Sequence, residues 1–442
     1  TEHPDQTEAG ESCIYTLPYG GGSPRRVTES TPSYWHGWSP DGARLAWGVE
    51  GTQLIGLPYL PVVIVDAQSG EILFHYNAVE SLNAASIFPS NPVKSPSTVP
   101  VTLPVGDGKA TLENDLVQSL SCIDKHSLKS IPGIPIKIHS CDLLQTAAPD
   151  ANGDYLNLPG DDKDPEDTFS EISMFHHVNR AYDFFRAFDP KLDVNVGSAI
   201  PTVSNLRIPD GFQTQDPVKL SDPNLPLVPF QNAFFAPQNP LFSAVFGISG
   251  GAMWFGQGPL KDYSYDGDVI YHEFTHAVVN VTLKLVGTSH MDDLGASASP
   301  GAMNEGLADY FSSALTGDGD VGEYASQDFA PGSTAIRSLT NPDACPAYIG
   351  GEVHQDATMF SGSLWDARKA LSAEKQALFD AAVFTAMNSA PNGNLGYEDF
   401  AKLLLAAVTA SPLGQPVADS LSAAFTARGL LPRPRGQGDA MG

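Results

Sequence analysis

The ten residues "GDVIYHEFTH", 267 to 276, set the strongest condition on the fold, because they place His272 and His276 four apart with Glu273 beside the first. On a helix that spacing puts both imidazoles on one face, one turn apart, able to share an ion at about 2.1 Å from each ring nitrogen. Glu273 then lies next to the ion, placed to act on a water without binding the metal itself. Such a string needs a third ligand, and the candidate is Glu305 in "GAMNEGLADYF" (301–311). A second helix returning past the first would deliver it. Asp309 is one turn beyond Glu305 and faces the same way, so it can accept the spare N–H of a ligating histidine and fix the tautomer that binds metal. Asn304 is a second candidate for that outer layer.

The rest of the composition narrows the partners. Lys and Arg total 24 against 51 for Asp and Glu, a formal charge of -27 over 442 residues, so the chain repels nucleic acid and anionic lipid. No run approaches the ~18 apolar residues of a membrane span. The four cysteines, Cys13, Cys122, Cys141 and Cys345, lack the CxxC spacing of a thiolate metal site. Cys122 and Cys141 flank one short segment and can close a disulfide that contributes about 3 kcal/mol, which fits an oxidising compartment. Cys13 with Cys345 is the remaining pairing. An export signal would lie outside this sequence, whose first ten residues are polar.

Along the chain, residues 13 to 76 read as short β runs punctuated by turns. Residues 88–108, "FPSNPVKSPSTVPVTLPVGDG", carry five prolines and no helical period, which reads as an extended linker or a strap, with a domain boundary there. The acidic stretch 150–167 lacks the spacing of an EF-hand loop and reads as a solvated loop. Residues 169–188 have apolar positions at Ile172, Phe175, Val178, Tyr182 and Phe185, the period of a helix packed on a core. His176 and His177 are adjacent and point to different faces, which suits structural roles better than ligation. Residues 228–256 return to apolar β-type runs with glycines, and residues 354–431 carry helical spacing rich in alanine and leucine.

Four motifs in one order, "HEFTH", "NEGLAD", "AIRSLTNP" (335–342) and "GEVH" (351–354), resemble the thermolysin-like and fungalysin-like zinc metalloendopeptidases, the gluzincins, from about residue 165 to 431. The resemblance implies zinc on His272, His276 and Glu305, with Glu273 as catalytic base. It implies that Arg337 grips a substrate carbonyl and that His354 donates to the developing oxyanion. "QNAFFA" (231–236) resembles the edge strand whose Asn232 and Ala233 hold an extended peptide by main-chain hydrogen bonds. Val269 and Ile336 would wall a pocket for an apolar residue after the cleaved bond. "VVIVDAQSGEILFHYN" is similar to the closing hairpin of the family's pro-region, while 13–48 resembles one blade of a TolB-type β-propeller.

Two departures from the family are visible. The aspartate expected five residues before His354 is Ile349, leaving Asp356 or Glu352 as replacements, and the loop 281–302 offers no match for the family's tyrosine. Calcium is a further candidate cofactor: Asp268 matches one family ligand, and Asp318, Asp320 and Glu323 are unmatched additions, set against the alternative of an acidic surface.

The expected architecture is α+β: a two-lobed zincin catalytic domain, with a mixed β-rich lobe over 81–286 ending in the zinc helix and a helical lobe over 287–434. A small β module precedes it over 1–80. The expected function is a secreted zinc endopeptidase acting on protein or peptide substrates, with no nucleic acid and no membrane span. The alternatives are a gluzincin exopeptidase, although no GxMEN-type anchor for a free amine is present, and a non-catalytic secreted binding protein on the same scaffold. Whether the N-terminal module is shed, and the oligomeric state, are open at this level.

Overall fold

The computed structural model describes residues 83–431, apart from 107–108, 132, 134, 136, 161–163, 213, 215, 286, 293–294, 392 and 394, and six strands before residue 83. The chain divides into two compact units, Thr1–Leu82 and Asn83–Gly442. In the first, Tyr15–Thr16 pairs with Arg25–Arg26, and Tyr34–Trp38, Leu45–Glu50, Pro61–Asp66 and Ile72–Asn77 form an antiparallel meander. Cys13, and with it any pairing to Cys345, lies outside the described residues.

The second unit is mixed α+β. Its main sheet runs in the order Lys137–Leu144, Val117–Ser130, Ile200–Pro209, Ala252–Gly256, Ala233–Ala236. Val117–Ser130, Ile200–Pro209 and Ala252–Gly256 run parallel, and the two outer strands are antiparallel to their neighbours. Ala252–Gly256 is buried along its whole length. Its alternate residues serve two cores: Met253 and Phe255 join the large core, while Ala252 and Trp254 join a smaller one with Val203, Leu206 and the Cys122–Cys141 disulfide. A strand covered on both faces must be apolar throughout, as "AMWFG" is. The disulfide ties Val117–Ser130 to its antiparallel neighbour, with Cα atoms 5.4 Å apart.

Two helices cover the large-core face. Thr168–Arg186 starts at Asp167, whose side chain accepts from Phe169 N at 3.0 Å, and buries Ile172, Phe175, Val178 and Phe185. Gly267–Thr282 starts at Asp266, which accepts from Asp268 N, and buries Ile270, Phe274, Ala277 and Val278. Each fully buried phenylalanine contributes about 2 kcal/mol by leaving water, enough to fix the rotation of both helices. That rotation leaves His272 and His276 on the face that lines a cleft.

The chain after residue 298 is helical over Ser299–Thr316, Val353–Lys369, Ala373–Ser389, Tyr397–Ala410 and Gly414–Ala427. The short pair Asp320–Val321 and Arg337–Ser338 lies between the first two of these. The large core is continuous from the sheet through both histidine-facing helices to Phe400, Leu404 and Phe425, so residues on either side of 286 share one interior.

Two expectations need correction. The proline-rich segment 88–108 is not the boundary between units, which falls at Leu82 and Asn83. Its residues pack: Ala84–Ile87 pairs with Val99–Thr102, and Asn91 is fully buried, because prolines are compatible with edge strands as well as linkers. The run 228–256 is not all strand. Asn239 caps a short helix, Pro240–Phe246, by accepting from Leu241 N at 2.8 Å, and Gly247 ends it in the left-handed region at φ 75°.

Candidate active site

His272 and His276 rise one turn apart from Gly267–Thr282, and their Nε2 atoms are 3.1 Å from each other. Glu305, on Ser299–Thr316, brings Oε2 to 3.2 Å from His272 Nε2 and Oε1 to 3.6 Å from His276 Nε2. The other ring nitrogens are held from behind. Asp309 Oδ1 is 2.8 Å from His272 Nδ1, and Asn304 Oδ1 is 2.9 Å from His276 Nδ1. Both partners are acceptors, so each Nδ1 carries the proton and each Nε2 presents a lone pair. Two lone pairs and a carboxylate therefore converge with no donor between them.

That convergence fits a cation. Tetrahedral ligands at about 2.0–2.1 Å from a zinc ion are spaced about 3.3 Å from one another, close to the separations found here. The nitrogen and oxygen donor set suits zinc better than calcium, which takes oxygen ligands. The field at the site points the same way. Burial would lower His272, but Asp309 on Nδ1 and Glu305 beside Nε2 outweigh it and raise the imidazole to about 10, so that without a metal ion a second proton is held at Nε2, where the cation would otherwise bind. Burial would raise Asp309, but the charges of Arg337 and His272 outweigh it and lower the carboxyl to about 2. Glu305 is likewise held below the usual carboxylate range, the charge of His276 and the contact with His272 overcoming burial. All three shifts express one preference, for positive charge among these side chains.

Glu273 faces the cleft beside this group, its Oε2 4.0 Å from His276 Nε2. The backbone N–H of Phe235 donates to the same oxygen at 2.9 Å. Phe235 lies on Ala233–Ala236, the sheet's edge strand, so the carboxylate is fixed to the rim that an added strand would meet. Asn232 faces inward through its carbonyl, which accepts from Gly256 N at 2.9 Å. By the two-residue period Ala233 and Phe235 face outward. The outward N–H of Ala233 is capped by Asn232 Oδ1 at 3.0 Å, leaving the Ala233 and Phe235 carbonyls as the outward main-chain acceptors on that edge.

Arg337 forms a two-pronged pair with Asp309, Nε to Oδ2 and Nη2 to Oδ1, each at 2.7 Å. It also lines the cleft. Asp309 thus orients His272 with one oxygen and shares both with a guanidinium. His354 stands at the start of Val353–Lys369, its Nε2 3.5 Å from Glu305 Oε2 and its Nδ1 2.7 Å from Glu352 Oε1. Of the two replacements for the absent aspartate, Glu352 therefore contacts His354. Asp356 is buried and accepts instead from Gly350 N at 2.8 Å and Gly351 N at 3.0 Å.

The cleft over these residues has a volume of about 790 Å³. Val269 and Ile336 are among its walls, and Tyr263, Val321 and Phe329, which the sequence reading did not single out, are others. Asp268, Asp318, Asp320 and Glu323 gather at the other end of the histidine helix, joined by Asp266, which no motif had flagged. His177 is fully buried and shares its Nδ1 with the Tyr271 hydroxyl at 2.7 Å, a structural role. No helix among the described residues is long and apolar enough to cross a membrane.

No family model matches the chain. Over 38 residues it is 63% identical to an uncharacterized protein of Agrobacterium fabrum, Atu1656, a match that spans 9% of this chain and only 13% of that protein. Among solved structures it is similar to the precursor of protealysin, a metalloproteinase from Serratia proteamaculans, with a TM-score of 0.47 and 16% identity, covering 73% of this chain and 91% of that one.

Proposed function

We propose that this protein is a secreted zinc-dependent endopeptidase. The observation that carries the reading is the meeting of His272 Nε2, His276 Nε2 and a Glu305 oxygen beside the Glu273 carboxylate. When bound there, a zinc ion supplies Lewis-acid charge that polarises a carbonyl and acidifies a water. His272, His276 and Glu305 would hold it, with Asp309 and Asn304 setting the ring tautomers.

The chain's own residues do the rest. An extended peptide adds to the outer edge of Ala233–Ala236, its N–H groups meeting the Ala233 and Phe235 carbonyls, so that binding is largely independent of substrate side chains. Glu273 accepts the proton of the attacking water and passes it to the departing amine. The Phe235 N–H keeps one of its oxygens in place, so the other is the oxygen free to move that proton. His354 presents Nε2 toward the cleft, and with its Nδ1 proton held by Glu352 the doubly protonated ring donates from Nε2 to the oxygen that gains charge. Val269, Ile336 and Phe329 give the cleft an apolar wall, consistent with an apolar residue after the cleaved bond. The Cys122–Cys141 disulfide supports an oxidising destination.

The test is hydrolysis of an N-blocked peptide cut internally, with zinc content measured alongside. Glu273→Gln should retain zinc and lose about 10³-fold or more in kcat/KM. His276→Ala should lose both. Full activity in Glu273→Gln removes the assigned base. Cleavage of free aminoacyl amides with none of the blocked peptide would turn the reading to an exopeptidase, and zinc without any cleavage would turn it to a binding protein.

A further inference from the structure

The opposite end of the histidine helix carries a second cluster with the composition of a metal site. Asp266, Asp268 and Glu323 are buried within one ion's reach of each other, and Asp318, Asp320 and Glu323 form an adjoining set. What faces these carboxylates is the strap of residues that follows Phe88. Asn91 is fully buried, and its Nδ2 donates to Asp268 Oδ2 at 2.9 Å and to Glu323 Oε2 at 2.8 Å. The Ser90 hydroxyl donates to Asp268 Oδ1 at 3.2 Å. The Lys94 ammonium is 3.0 Å from Glu323 Oε1 and also bonds Asp318 Oδ2.

The orientation of Asn91 decides between two readings of this cluster. A divalent ion is bound through oxygen, so an asparagine in its shell would turn Oδ1 inward. Here Oδ1 is committed elsewhere, accepting from Val93 N and Lys94 N at 3.0 Å each. That turn fixes the amide with its N–H groups toward the acids and aims the next charged residue, Lys94, at the gap between Glu323 and Asp318. Three donors, one of them an ammonium, thus point where an ion would need acceptors. Asp266 is satisfied separately, accepting from Asp268 N, Tyr324 N and Ala325 N.

We infer that the Lys94 ammonium, seated by the Asn91 turn and assisted by the Asn91 amide donor, takes the place of a divalent cation at this cluster and makes this end of the helix independent of calcium. The segment does in one chain what a soluble ion does by mass action, and it joins the 90–94 strap to the helix that carries His272 and His276. The inference does not rest on peptidase activity.

The experiment is a calcium titration of the zinc-loaded full chain in calcium-free buffer, followed by calorimetric binding and by thermal unfolding. Wild type should show no binding heat and a melting temperature that moves by less than about 1 °C at millimolar calcium. Lys94→Met, which vacates the gap without adding an acceptor, should melt lower, bind calcium, and recover several degrees when it is added. Lys94→Arg, which keeps a cation, should behave as wild type. Calcium binding to wild type accompanied by stabilisation overturns the inference, and needs no variant to be seen. A folded Lys94→Met that ignores calcium overturns it as well.

Discussion

The two ends of one helix, Gly267–Thr282, solve the same electrostatic problem in opposite ways. At the cleft end, His272, His276 and Glu305 converge with their donors turned outward to Asp309 and Asn304, so the centre is short of positive charge. At the capped end, Asp268 and Glu323 converge on the donors of Asn91 and Lys94, and one positive charge, the Lys94 ammonium, is already present. Ligand-type residues within reach of each other are common to both. What differs is the direction of the N–H groups around them. A cluster is open to a cation only where the donors face away, and that is the property separating the candidate zinc site from one whose centre is already occupied by donors.

The comparison can be broken at its first end through Asp309. Asp309→Ala leaves the largely buried Arg337 without its carboxylate and takes the acceptor from His272 Nδ1. Zinc affinity should fall 10–100-fold and stability by about 3 kcal/mol, read by competition with a metallochromic chelator and by urea unfolding. Unchanged affinity would mean that the tautomer is set by something else. A smaller effect is expected at the rim. Glu352→Gln weakens the anchor of His354 without touching the group that would hold metal, so kcat should drop about tenfold while zinc content and KM stay level. An equal loss in KM would assign Glu352 to substrate binding.

An effect on stability alone sharpens the contrast with another buried acid, Glu171, which has no ion pair among the described residues. Burial pushes Glu171 up to about 7 in spite of hydrogen bonds from Thr146 and Ala147, and its Oε1 has no partner. Its folded pKa lies above its unfolded value near 4.3, so its contribution is fully present below about pH 4 and is lost as pH rises through about 7. Glu171→Gln keeps the acceptor and removes the charge. It should gain about 2 kcal/mol over wild type at pH 8, gain nothing at pH 4.5, and leave peptide cleavage unchanged. A pH-independent difference would place the cost in packing.

Much of the cleft was legible because it is local. Four-residue spacings place His272 with His276 and Glu305 with Asp309 whatever the rest of the chain does. The apolar period of Thr168–Arg186 could be read for the same reason. What could not be read depends on main-chain groups or distant partners. The N–H of Phe235 leaves no trace in residue identity, although it holds Glu273. Asn91 reaches Glu323 across 232 positions, and nothing in "SNPVKSP" announces it. The prolines there looked like a linker because the same φ restriction serves exposed connectors and packed straps alike. Choosing Glu352 over Asp356 needed the turn at 350–351, where Asp356 is already engaged by two backbone amides.

The most direct test of the account is a count of zinc after equilibrium dialysis of wild type and His276→Ala at neutral pH, by elemental analysis. The account predicts about one zinc per chain in wild type and none retained by the variant. A wild type that holds no zinc, or a variant that holds as much as wild type, would contradict it.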